Sequence, residues 1–101
     1  MRRKNYHLIG IGGTGMSGLA RMFKAQGNAV TGSDVARTEI TRALVAEGIP
    51  VSCPQAEENI PKKCDMVICS AAVPESNPEY KAALKRKIRV RKYAETLGEL
   101  M

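Results

Sequence analysis

Short apolar runs alternate with amphipathic helical stretches along this chain. Tyr6-His7-Leu8-Ile9 predicts a first strand at about residues 5–10. Met16, Leu19, Ala20 and Phe23 then recur at helical spacing, which predicts a helix over about residues 14–26 with one face on a sheet. Gly27 suits its C-terminal end. A second strand follows at about 29–32. A second helix, about 37–47, carries Ile40, Leu44 and Val45 on one side and stops at Gly48. Ile49-Pro50-Val51 makes a short third strand. Residues 53–63 are polar and hold Pro54 and Pro61, so they predict a loop with one helical turn near 57–59.

The second half continues the alternation. Met66-Val67-Ile68-Cys69 is continuously apolar, the pattern of a strand buried on both faces. A loop, Ser70-Ala71-Ala72-Val73-Pro74, follows it. Asn77-Pro78-Glu79 opens a helix that runs to about residue 87, with proline in its first turn. Ile88-Arg89-Val90-Arg91 alternates apolar and basic residues, which predicts a fifth strand at a sheet edge with one wet face. A last helical stretch covers 94–101. This order predicts an α/β fold: a single Rossmann-like domain over residues 1–101, with a doubly wound parallel five-stranded sheet and helices on both faces. In such sheets ligands sit beyond the C-terminal ends of the strands. The loops 10–16, 32–37 and 70–74 all belong to that edge and converge there.

The first of these loops carries the most specific chemistry. Gly10-Ile11-Gly12-Gly13-Thr14-Gly15-Met16 lies between a strand and a helix. Gly10 permits the tight turn, Gly12 lets the backbone approach an anion, and Gly15 lets helix and strand pack closely. The first N–H groups of the helix have no internal partner, and the helix dipole favours negative charge there. A nucleotide held through its pyrophosphate is the implied ligand. Asp34, about twenty residues past the loop, stands where this fold places a carboxylate on a ribose hydroxyl. An N-cap or a solvated turn is the alternative role for Ser33-Asp34. An ATP-type phosphate loop is excluded: Met16 occupies the position of the required lysine.

Composition narrows the setting. With 101 residues, 44% hydrophobic and 26% charged, the chain suits one soluble globular domain. No apolar run approaches the ~20 residues of a membrane span, and no signal-peptide core follows the basic N-terminus. Cys53, Cys64 and Cys69 form no C-x-x-C pair and read as reduced thiols in a cytoplasmic protein. His7, the one histidine, lies too far from them in sequence to suggest a metal site, and reads as a strand residue rather than a base. The net charge of +6 is concentrated between Lys81 and Lys92. A solvated helix face and edge strand account for it, and the scarcity of aromatic residues argues against nucleic acid.

His7-Leu8-Ile9-Gly10-Ile11-Gly12-Gly13-Thr14-Gly15-Met16-Ser17-Gly18-Leu19-Ala20 closely resembles the opening of the Mur ligases of bacterial cell-wall synthesis. Gly32-Ser33-Asp34, Ser70-Ala71-Ala72-Val73-Pro74, Asn77-Pro78-Glu79 and the closing stretch 94–101 are similar to that family too, so the likeness spans the chain. The Gly-Thr-Gly-Met-Ser run favours the branch that adds L-alanine over the murein-tripeptide ligases. The resemblance implies a first domain that holds the UDP part of UDP-N-acetylmuramate. It implies a second that binds ATP and magnesium, and a third that helps bind ATP and the amino acid. The muramoyl carboxylate is phosphorylated there and then attacked by the alanine amine. It further implies that this chain binds without catalysing and has no cofactor or metal of its own, its partners being the UDP-sugar and the other ligase domains.

By the same resemblance, Gly12, Gly13, Thr14, Gly15, Met16 and Ser17 cradle the diphosphate. Ser33 and Asp34 meet the uridine, and Ser70, Ala71, Ala72 and Val73 line the path of the sugar diphosphate. Cys53-Pro54 departs from the Gly-His that the family often carries near the uracil. An NAD-binding oxidoreductase domain and a stand-alone nucleotide-sensing module are the alternative functions. Leu97 and Leu100 are expected to lie uncovered without a neighbouring domain and to promote weak self-association.

Overall fold

β1 (Asn5–Ile9) is the centre of a five-stranded, all-parallel sheet. β2 (Ala29–Ser33) and β3 (Val51–Ser52) extend it on one side, and β4 (Met66–Cys69) and β5 (Arg89–Lys92) on the other, giving the order β3-β2-β1-β4-β5. The computed structural model describes residues 3–100, without the side chains of residues 97, 99 and 100. The expectation for Leu97 and Leu100 therefore lies outside the described residues. β1 pairs with β2 from Asn5↔Ala29 to Ile9↔Ser33, and with β4 from Tyr6↔Met66 to Ile9↔Cys69. These registers end the three strands level, so the segments that leave them emerge side by side. The order reverses between β1 and β4, which makes that junction the switch point where doubly wound sheets bind ligands.

The two-residue period of β1 divides the core. Leu8 shares a cluster with Ile68, Val30 and Val51 and with Met16, Leu19, Ala20 and Phe23 of α1 (Thr14–Ala25) and Leu44 of α2 (Glu39–Ala46). Ile9 joins Val67 and Cys69 in a second cluster with Ile60 and with Ala82 and Ala83 of α3 (Pro78–Lys85). Helices thus cover both faces of the sheet. His7 falls on the α3 face by the same alternation, and this decides its partner.

Element boundaries differ from the sequence pattern where caps decide them. α2 starts at Glu39, not near 37, because Thr38 closes a reciprocal capping box with Thr41. β3 is confined to Val51–Ser52 at the sheet edge; Pro50 just before it has no N–H to donate, though its carbonyl accepts from Gly32 N–H at 3.0 Å. β5 leads directly into α4 (Tyr93–Leu100). The 3₁₀ turn Glu57–Asn59 falls where the polar segment predicts it. Arg21 of α1 grips Glu47 with two hydrogen bonds of 2.8 and 2.9 Å, tying the two helices of one layer together. Among the described residues no helix is long and apolar enough to cross a membrane.

Candidate functional site

The glycine loop is pinned to the end of β2. Gly10 and Ile11 both donate their N–H groups to the Ser33 carbonyl, at 2.9 and 3.0 Å. Gly10 has φ +82°, a left-handed conformation that closes the turn and favours glycine, and Gly13 N–H bonds back to the Gly10 carbonyl at 3.2 Å. Gly12 N–H donates to Asp34 Oδ2 at 2.8 Å. A Cβ at Gly12 would stand 2.6 Å from that oxygen, so close approach to the carboxylate is the reason for glycine here. Asp34 Oδ1 accepts from Val35 N–H at 2.8 Å. Asp34 therefore holds its own loop to the glycine loop, with lone pairs left over for a hydroxyl.

Gly13 is the N-cap of α1, with extended backbone and no side chain to cap the helix. Ser17 N–H is the first to reach back, to the Gly13 carbonyl at 2.8 Å. The N–H groups of Thr14, Gly15 and Met16 have no partner among the described residues, and α1 carries no acidic residue in its first turn. These are the orphan donors of a helix start, aligned with the positive end of its dipole. The predicted loop residues thus differ in what they offer. Thr14, Gly15 and Met16 present backbone donors, while Gly12, Gly13 and Ser17 use theirs internally. Ser17 is buried and its hydroxyl donates to the Thr14 carbonyl at 2.9 Å. The Met16 side chain packs in the core, so no flexible cation stands where an ATP loop has its lysine.

A cleft of about 280 Å³ opens at this end of the sheet. Gly13 and Asp34 line it, facing Ser70, Ala72 and Val73. The converging loops thus meet across one space. Ser70 starts a turn closed by Val73 N–H on the Ser70 carbonyl, and its hydroxyl accepts from Ala72 N–H at 3.3 Å. Ala71 is exposed, and neither it nor Gly12, Thr14, Gly15, Met16 or Ser17 is among the lining residues. Ser33 lies beneath the cleft, wholly buried. Cys53 packs beside the α1 cluster, and the residue after β3 that reaches the cleft is Gln55. Asn77, at the start of α3, completes that wall.

Under the cleft lies a buried polar network. Glu79, in the first turn of α3, is fully buried. Its Oε1 accepts from His7 Nε2 at 2.6 Å and from the Ser33 hydroxyl at 2.7 Å. Its Oε2 accepts from Ala56 N–H at 3.0 Å and from Asn59 Nδ2 at 2.9 Å. His7 Nδ1 meets Thr31 Oγ1 at 2.7 Å. Burial pushes the Glu79 carboxyl up, but the hydrogen bonds from His7, Ser33 and Asn59 and the charge of His7 outweigh it and hold the group below the usual carboxylate range. One ionised carboxylate thereby joins β1, β2, α3 and the segment after β3.

Among the described residues that line the cleft, Asp34 is the one ionisable side chain. Burial raises the thiols of Cys64 and Cys69 above the usual range, which makes them poor nucleophiles. Among the described residues no cluster of three or more metal-ligating side chains occurs.

The model of the Mur ligase family, catalytic domain, matches residues 5–101. The chain belongs to the Mur ligase family. It is 44% identical, over its whole length, to a UDP-N-acetylmuramate–L-alanine ligase of Psychrobacter sp. (strain PRwf-1), and covers 21% of that protein. It is 48% identical over 85% of its length to the same-named ligase of Campylobacter jejuni subsp. jejuni (strain 81-176), covering 20% of it. The solved UDP-N-acetylmuramate–alanine ligase of Thermotoga maritima superposes with a TM-score of 0.91 at 33% identity, over 95% of this chain and 22% of that one. A UDP-N-acetylmuramate:L-alanyl-γ-D-glutamyl-meso-diaminopimelate ligase from Neisseria meningitides gives 0.86 at 27% identity, over 97% of this chain and 31% of that one. The chain thus spans about a fifth of the curated relatives it matches.

Within this Mur ligase domain, sequence reasoning missed Gln55, Asn77 and the His7–Glu79 pair. His7 and Glu79 are 72 positions apart, and only the sheet's alternation together with the packing of α3 joins them. Gln55 had one available signal: it follows a strand's C-terminal end, the edge where all the other cleft residues lie.

Proposed function

We propose that this chain is the UDP-binding domain of an ATP-dependent ligase that joins L-alanine to UDP-N-acetylmuramate in cytoplasmic peptidoglycan synthesis. The carrying observation is the set of unpartnered N–H groups at Thr14, Gly15 and Met16, beside a cleft at the β1/β4 switch point. The diphosphate of the UDP-sugar caps these donors. Asp34 takes a ribose hydroxyl, and the sugar end runs along Ser70, Ala72 and Val73. Of the residues assigned to the ligand, Gly12, Ser17 and Ser33 act by holding the loop in shape. Ala71 sits at the rim.

Similarity to the L-alanine ligases across the whole chain supports the choice of substrate. The residues of this cleft do not suit ATP, because buried Met16 replaces the phosphate-loop lysine. Phosphorylation of the muramoyl carboxylate, the ATP and magnesium it uses, and attack by the alanine amine belong to other domains of such a ligase. This domain supplies the grip on the carrier, so that the sugar's carboxylate is delivered in a fixed place.

The test is a pair of calorimetric titrations, one with UDP-N-acetylmuramate and one with NADH. Saturable binding of the UDP-sugar, with backbone NMR shifts centred on residues 13–16 and 34, is the expected result. Binding of NADH without a response to the UDP-sugar refutes the proposal.

A further inference from the structure

The hydrogen bonds around Asn77 fix the direction of a second amide, that of Gln55, and through it the kind of base the cleft reads. Asn77 caps α3: its Oδ1 accepts from the N–H groups of Glu79 and Tyr80, at 2.9 and 3.3 Å. Backbone N–H groups only donate, so the oxygen of Asn77 has to face the helix and its NH₂ has to point away. Asn77 Nδ2 then donates to Gln55 Oε1 at 2.6 Å. Gln55 in turn must point its oxygen at Asn77, and its own NH₂ is left facing elsewhere. Among the described residues Gln55 Nε2 has no protein partner, and Gln55 lines the same cleft as Gly13 and Asp34. Asn77 is itself nearly buried, so solvent does not scramble this relay.

We propose that Gln55 is a specificity-determining residue whose NH₂, oriented by Asn77, donates to the carbonyl oxygen at position 4 of a pyrimidine base. This rests on the reading of the cleft as a nucleoside diphosphate site. A diphosphate on the start of α1 and a ribose on Asp34 lead the base toward the β2/β3 side, where Gln55 stands. A donor in the wall accepts uracil, whose ring carries a carbonyl at position 4, and opposes cytosine, which carries an amino group there. The signal is directional: turning the Gln55 amide over would invert the preference.

Asn77→Asp performs that turn without touching Gln55. Aspartate caps a helix as well as asparagine does, so α3 keeps its start. The donor toward Gln55 becomes an acceptor, Gln55 rotates to offer it NH₂, and the Gln55 oxygen now faces the cleft. Calorimetry with UDP and with CDP on the unmodified chain, Asn77→Asp, Gln55→Leu and Gly13→Asp tests the idea. The unmodified chain is expected to prefer UDP by about tenfold or more, Gln55→Leu to bring the ratio near one, and Asn77→Asp to reverse it. Equal affinities for UDP and CDP in the unmodified chain overturn the proposal, and so does a ratio that Asn77→Asp leaves unchanged. If Gly13→Asp abolishes binding while the ratio never moves, the Gln55 proposal alone has failed. If Gly13→Asp does not weaken UDP, or UDP does not bind at all, the reading of the cleft has failed and this proposal falls with it.

Discussion

Gly13→Asp separates stability from binding, because the two effects have opposite signs. Gly13 has φ −67° and ψ 149°, ordinary extended backbone that any residue adopts. A Cβ there would have the Gly10 carbonyl oxygen 3.6 Å away as its nearest neighbour, so no clash follows. An aspartate at this position is a helix N-cap, and its carboxylate accepts from the N–H of Gly15 or Met16. Aspartate over glycine as a cap is worth a few tenths of a kcal/mol. The charge at the positive end of the dipole adds about 0.3–1 kcal/mol, and the loss of glycine's freedom in the unfolded chain about 0.4–1 kcal/mol. Their sum is about 1–2 kcal/mol of added stability, or at least roughly 4 °C in melting temperature for a domain of this size.

The same carboxylate sits where the proposed site places the diphosphate. It removes at least one donor from the ligand and repels the anion at a second. Two charge-assisted hydrogen bonds of about 1.5–3 kcal/mol each are forfeited, so UDP affinity falls by at least roughly a hundredfold. Thermal unfolding and UDP calorimetry on the same samples measure both signs. Gly13→Ala is the control: it fits the same space, cannot cap, and keeps UDP affinity within a few-fold. A Gly13→Asp chain that melts higher and still binds UDP within threefold of the native value refutes the assignment of the anion to the start of α1.

A Cβ at Gly15 would run into the hydroxyl and ring of Tyr93, so Gly15→Ala is expected to destabilise the domain by about 1–3 kcal/mol in urea unfolding. No change there refutes the packing of α4 against the loop. Glu79→Gln leaves two of the four donors to the Glu79 carboxylate facing an NH₂, and is expected to cost about 3–5 kcal/mol by urea unfolding. A loss under about 1 kcal/mol contradicts the network. Because the folded Glu79 carboxyl lies below its unfolded value of about 4.3, its contribution is complete above that value and disappears as pH falls through the lower folded one. Urea midpoints at pH 7 and pH 3 should therefore differ more in the native chain than in Glu79→Gln, and equal differences contradict this. Asp34→Asn can accept from Gly12 N–H or Val35 N–H but not both, and is expected to weaken UDP about tenfold with about 1–3 kcal/mol lost in stability; unchanged affinity in calorimetry removes Asp34 from the site.

The strand–helix alternation made the architecture legible, because each buried face is written locally in periods of two or 3.6 residues. Leu8 and Ile9 point to opposite layers by alternation alone, and Met16, Leu19 and Phe23 lie on one helical face. The glycine loop was legible for a related reason: its constraints are steric and fall on neighbouring residues. Roles within the loop were not. Which of its N–H groups remain free depends on Ser33 and Asp34, which meet the loop only through the pairing of β1 with β2. The Glu79 network was less legible still. Glutamate at a helix start ordinarily reads as a solvated residue that favours the dipole. Its burial depends on His7, Ser33 and Asn59, contributed by three separate parts of the chain, and no local pattern marks that convergence.

The distribution of charge bears on the kind of binding proposed for this domain. The net charge is +6, yet among the described residues no lysine or arginine lines the cleft. Lys81, Lys85, Arg89 and Lys92 are exposed on α3 and β5, and Arg86 spends its guanidinium on the carbonyls of Ile60, Pro61 and Lys62. For the proposed anionic ligand the cations act at a distance, as a field that raises its local concentration and its rate of encounter. On the proposed function, affinity at contact rests on backbone dipoles held in fixed positions by Ser33, Asp34 and, beneath them, Glu79. Fixed dipoles need no reorganisation when the anion arrives, and they hold it in one orientation. A flexible lysine would follow the phosphate wherever it moved. Orientation is what a domain must supply when its task is to deliver a substrate to chemistry done elsewhere. The buried carboxylate thus serves twice, stabilising the fold and fixing Ser33, whose carbonyl holds the glycine loop.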